Sequence, residues 1–126
     1  MLNQEGDEMI PLIGLFIGVL LGIFLKIDIP NSFTAYIPVA ILAALDSVFG
    51  GARASLEKKF DSDIFISGFF SNIVLAIGLT YLGDALNVPI YLAAVVVFGS
   101  RIFNNFALIR RMILEKIGSK MKEKEE

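Results

Sequence analysis

The 126-residue chain contains no cysteine, no histidine and no tryptophan. The missing cysteines exclude disulfides and thiolate chemistry. With histidine absent too, imidazole general bases and His/Cys metal sites are gone. Charge is also scarce, at 19% of residues, and the formal net charge is only −2. At this length a single domain, residues 1–126, is expected.

What fills the chain is apolar. Hydrophobic residues make up 56% and the mean hydropathy is +0.72, above the usual apolar share of a soluble domain. The arrangement says more than the average. Residues 9–25 carry no charge and no amide. Residues 64–82 carry no charge, and Asn72 and small hydroxyls are their polar groups. Runs of this length span or nearly span a hydrocarbon core of about 30 Å. The expected fold is therefore all-α: a polytopic helical membrane protein with spans at about 9–25, 33–52, 64–82 and 89–109. The acidic Glu5, Asp7 and Glu8 before the first run, with no basic residue there and no small-x-small site after it, favour a retained helix over a signal peptide.

In the first run Gly14, Gly18 and Gly22 recur every four residues and share a face, which lets another backbone approach closely. Asn31 and Ser32 provide turn and cap chemistry ahead of the second stretch. Pro38 in that stretch must either begin its helix or kink it. Arg53 and Glu57 stand four apart, so this helix is expected to continue to about Phe60. Asp61, Ser62 and Asp63 offer caps for the third span. On that span Gly68, Asn72, Ala76 and Thr80 form a small-and-polar seam, and Gly68 is counted with the three earlier glycines as a packing position. Asn87-Val88-Pro89 reads as a turn, with Pro89 in the first turn of the last helix. Beyond Arg110 and Arg111, the apolar positions Ile113, Leu114, Ile117 and Met121 keep helical spacing. Residues 110–126 therefore read as an amphipathic extension with a frayed end from Met121.

Basic residues set the orientation. Arg110, Arg111, Lys116, Lys120, Lys122 and Lys124 follow the last span, which places the C-terminus in the cytoplasm. Four spans then place the N-terminus inside as well. Lys26 objects by facing outward, and a three-span arrangement with 33–50 re-entrant is the alternative. Arg110 and Arg111 are expected to meet anionic lipid head groups. The glutamates interleaved in the tail speak against nucleic-acid binding.

The chemically informative residues are polar groups inside the spans. At about 1.5 Å per residue, Asp46 lies roughly 10 Å inward from Arg53, Asn72 about 12 Å from Ile64, and Arg101 about 13 Å from Arg110. An acid, an amide and a guanidinium thus share one layer on three helices, and Asn105, one turn past Arg101, is expected to join them. An unpaired charge at that depth costs at least a few kcal/mol, so Arg101 is expected to pair with Asp46. A fixed pair of this kind fastens helices together. An ion or proton relay through Asp46 is the competing reading, and a carboxylate held charged by arginine suits it poorly.

Residues 42–54, Leu-Ala-Ala-Leu-Asp-Ser-Val-Phe-Gly-Gly-Ala-Arg-Ala, resemble the signature segment of the small basic protein family of bacterial membrane proteins. Gly68-Phe69-Phe70-x-Asn72, Gly83-Asp84, Tyr91-Leu92-Ala93-Ala94, Phe98-Gly99-x-Arg101-x-Phe103-x-Asn105 and Ile109-Arg110-Arg111 extend the likeness from about Ile10 to Arg111. The chain departs from the family's name in being slightly acidic. The resemblance implies a bacterial cell-membrane protein with no established activity, whose genes often lie near those of cell division and envelope assembly. The expectation is a structural or regulatory subunit that works through other membrane subunits, copies of itself and the bilayer, with no catalytic residues, cofactor or metal. A small oligomeric transporter or channel using Asp46 and Arg101 is the alternative.

Overall fold

The computed structural model describes residues 4–125. Among the described residues, the α-helices are α1 (Gln4–Phe24), α2 (Tyr36–Leu56), α3 (Ser62–Leu86) and α4 (Tyr91–Glu125), with a 3-10 turn at Asn31–Phe33. The all-α expectation holds. Among the described residues, α2, α3 and α4 are each long and apolar enough to cross a membrane, and α1 contributes a shorter apolar stretch, Leu12–Phe24. The acidic entry Glu5, Asp7 and Glu8 lies outside the side chains described.

Helix α2 is one uninterrupted run of 21 residues, a rise of about 31 Å. Pro38 stands in the first turn, where its missing N–H removes no intrahelical bond, so it starts the helix without kinking it. The helix stops at Leu56, four residues before the expected end. Lys58 adopts a left-handed conformation (φ 59°). Its N–H reaches Ser55 O at 3.1 Å, and Lys59 N–H reaches Ala54 O at 2.8 Å. This pair of bonds closes the helix as a Schellman cap. The sequence conceals the stop because lysine occupies a place usually held by glycine.

The caps of α3 follow the sequence closely. Asp61 Oδ1 accepts from Asp63 N–H at 2.9 Å and Ile64 N–H at 3.2 Å. At the other end Asn87 is left-handed (φ 54°), and Val88 N–H returns to Gly83 O at 2.9 Å. Gly83 has no alternative here: a Cβ would lie 2.5 Å from Val88 O. The last helix corrects one expectation. It stays helical to Glu125, so the charged end is not frayed across the residues described.

Helix α2 lies centrally, packing extensively on both α3 and α4, while α3 and α4 touch each other less and α1 leans on α2. Val39 and Ala43 of α2, Ala76 of α3, and Ala94 and Phe98 of α4 form the core. Small residues at three of these contacts let the helix axes approach closely. Tyr36 Oη donates to Asp84 Oδ2 at 3.3 Å, tying the start of α2 to the end of α3. The α3–α4 turn and the start of α2 therefore lie at one end of the bundle. The end of α2 and the far part of α4 lie at the other.

Candidate functional site

The face of α2 that buries Val39 and Ala43 continues, seven residues after Val39, to Asp46, whose side chain is 0% exposed. Periodicity alone brings this carboxylate between α3 and α4. From α3, Asn72 Nδ2 donates to Asp46 Oδ2 at 3.2 Å and stands 3.2 Å from Ser47 Oγ. The Ser47 hydroxyl donates to Ala43 O at 3.3 Å. From α4, Arg101 Nε lies 3.2 Å from Asp46 Oδ1. That oxygen accepts no aligned hydrogen bond among the described residues. The contact is thus an ion pair without hydrogen-bond alignment. Asp46, Asn72 and Arg101 meet as their depths in the sequence required.

Asn105 does not join them. It is buried, and its Oδ1 accepts from Arg53 Nη1 at 3.2 Å. Arg53 Nε also pairs with Glu57 Oε1 at 3.0 Å. The polar residues therefore form two tiers. The inner one is Asp46, Asn72 and Arg101, and the outer one is Arg53, Glu57 and Asn105. Asn105 is one helical turn nearer the end of α2, within reach of the long Arg53 side chain. Sequence reasoning assigned Arg53 only to the Glu57 pair. Its spacing of two helical turns from Asp46 on the same face was the signal that links the tiers.

Two clefts open beside these tiers. One, of about 210 Å³ between α2 and α3, runs from Asp46 and Asn72 toward Lys59 and Asp61. The other, of about 340 Å³ between α2 and α4, is lined by Arg53, Arg101, Asn104 and Asn105, with Glu57 and Gly50. Arg101 belongs to both, and its side chain is 56% exposed while its partner Asp46 is fully buried.

The glycine face can pack either within the chain or against a second copy, and the single chain leaves it open. Among the described residues, a Cβ at Gly14, Gly18, Gly22 or Gly68 would meet nothing within 4 Å, so none packs against a helix of its own chain. Gly14 and Gly18 instead line an open apolar groove of about 730 Å³ with α2 and the phenylalanines Phe65, Phe69 and Phe70 of α3. The glycine at a tight interhelical contact is Gly51, where a Cβ would lie 2.9 Å from the Phe65 ring. Arg110 and Arg111 are exposed on α4 beyond both tiers.

A family model described as protein of unknown function (DUF1290) matches residues 29–114, the segment that carries both tiers. The chain belongs to this family. Members similar to it include a protein named small basic protein from Bacillus subtilis, 46% identical over 107 residues, covering 85% of this chain and 88% of the relative. An uncharacterized protein of Mycobacterium tuberculosis is 42% identical over 108 residues, covering 84% and 89%. No solved structure matches the chain. In this family member the arrangement supplies a three-helix clamp at Asp46 and a donor-rich cleft beside it.

Proposed function

We propose that this chain is a structural or regulatory subunit of a bacterial cell membrane, working through helix–helix contacts with other membrane proteins and with copies of itself. The observation that carries the reading is the engagement of Asp46, a fully buried carboxylate held by Asn72 of α3 and Arg101 of α4. A buried charge used this way fixes one arrangement of three helices and presents their outer faces in a defined register. Those faces carry large exposed apolar side chains, such as Phe16 and Ile23 on α1 and Phe70 and Val74 on α3. The open Gly14–Gly18 face accepts a close-packed helix. The reading needs no cofactor and no catalytic group.

The orientation goes with it: four spans, with the end of α2 and the arginine-rich part of α4 in the cytoplasm, as the basic residues favour. The gene neighbourhood that the family resemblance brings points to envelope assembly or division as the machinery served. Mild-detergent purification from native membranes, with identification of what accompanies the chain, tests the proposal. Recovery of the same membrane proteins, lost on Gly18→Leu, supports it. Recovery of the chain alone as a monomer contradicts it.

A second reading has one observation behind it. Asp46 Oδ1 has no aligned donor and Asp46 lines the cleft that runs to Lys59 and Asp61, as a coupling carboxylate in a transporter would. Proton or cation flux in reconstituted vesicles, abolished by Asp46→Asn in a protein that still folds, would favour this reading over the first.

A further inference from the structure

Arg101 occupies an unusual place. Its Nε is used on Asp46, yet more than half of its side chain is exposed on the wall of α4. A guanidinium on such a wall is costly in hydrocarbon unless acceptors cover it.

The cleft between α2 and α4 gathers donors around that guanidinium. Among the described residues, the terminal nitrogens of Arg101 make no hydrogen bond to protein, and neither does the Asn104 side chain. Asn105 has its carbonyl oxygen taken by Arg53, which leaves its amide nitrogen to donate. Gly50 carries no side chain to cover that nitrogen, and a Cβ there would stand 3.9 Å from it. The acid in the lining, Glu57, is paired with Arg53. The cleft therefore offers several N–H groups, and its other side-chain acceptors are the Asn104 carbonyl and the Glu57 carboxylate, whose Oε1 is taken by Arg53. A second copy of this chain would bring an arginine to an arginine at this level, because Asp46 is already buried and engaged. An oxyanion with several acceptors answers the geometry, since arginine binds phosphate through two parallel N–H bonds.

We propose that this cleft binds the phosphate of an anionic membrane lipid, which enters sideways from the bilayer and reaches Arg101 from its exposed side. Arg101 and Asn104 hold the phosphate oxygens, and Asn105, oriented by Arg53, closes the inner side. The site is distinct from the exposed Arg110 and Arg111, and it goes beyond the subunit reading without depending on it.

The test uses the full chain purified in an uncharged detergent, with thermal unfolding followed during titration. The probes are short-chain phosphatidylglycerol, diacylglycerol with the same chains, and inorganic phosphate. Phosphatidylglycerol is expected to raise the unfolding temperature saturably while diacylglycerol does not. Arg101→Lys, which keeps the charge but loses the fork, and Asn104→Leu, at an exposed position, are each expected to raise the half-saturating concentration about tenfold. A paired Arg110→Gln and Arg111→Gln control should change it little. Should Arg101→Lys fail to fold, Asn104→Leu decides alone. Equal protection by diacylglycerol, or wild-type saturation of Asn104→Leu, overturns the site. Inorganic phosphate acting as strongly as the lipid overturns the lipid assignment and leaves a soluble phosphate site.

Discussion

Arg101 Nε stands 3.2 Å from Asp46 Oδ1, but the two side chains live in different surroundings: the acid is 0% exposed and the base 56%. The pair is therefore asymmetric. Removing the base strands a buried anion, whereas removing the acid leaves a cation whose long, half-exposed side chain can snorkel toward the head groups. Asn72 remains beside the carboxylate in either case, but a neutral amide does not compensate a full charge.

Arg101→Gln is accordingly expected to destabilise the fold by roughly 3 kcal/mol or more, the scale for a broken buried pair. Asp46→Asn should cost clearly less, and the double variant should recover most of the loss from Arg101→Gln. Reversible unfolding of the four proteins in one detergent measures the cycle. Equal single losses, or a double variant no better than Arg101→Gln, would remove the pair as the clamp.

The glycines sort by what surrounds them. Gly83→Ala places a methyl against the Val88 carbonyl at 2.5 Å, and Gly51→Val drives into the Phe65 ring. Each is expected to cost about 1–3 kcal/mol, the usual penalty for overpacking. Gly18→Leu enters open space and should leave unfolding of the isolated chain unchanged, while weakening association with any helix seated on that face. Size-exclusion chromatography with light scattering, read beside thermal unfolding, separates these effects.

Lys58 holds a left-handed backbone at the close of α2, a conformation that costs a residue with a Cβ about 1–2 kcal/mol. Lys58→Gly should stabilise the protein by roughly 0.5–1 kcal/mol, after part of the gain is offset by a more flexible unfolded chain and a lost charge at the helix end. Lys58→Ala keeps the strain and should give no gain. Their unfolding midpoints, compared in one detergent, check the cap.

Topology has a direct check. The fold sets Lys58 and Lys120 at one end of the bundle and Asp84, tied to Tyr36, at the other. Single cysteines at these three positions are unambiguous because the chain has none of its own. A membrane-impermeant thiol reagent applied to intact cells should label Asp84→Cys and spare Lys58→Cys and Lys120→Cys. Labelling of Lys58→Cys from outside would invert the assigned orientation.

The sequence by itself determined the helical class, because long uncharged runs have few other solutions in a bilayer. It also determined the inner polar tier. The depths of Asp46, Asn72 and Arg101 follow from helical rise alone, and an unpaired charge at that depth is too costly to leave. The cap at Asp61 and the turn at Asn87 were legible for a similar reason, since their bonds are local. Tertiary structure decided what depends on lateral neighbours. Helical rise says nothing of which face meets which helix, so the sequence could not show that Asn105 turns to Arg53, or that Arg101 remains half exposed. A four-residue glycine repeat permits close packing without supplying a partner. In the folded chain Gly14, Gly18 and Gly22 face open space, and the tight interhelical contact falls at Gly51, where the Phe65 ring crosses α2.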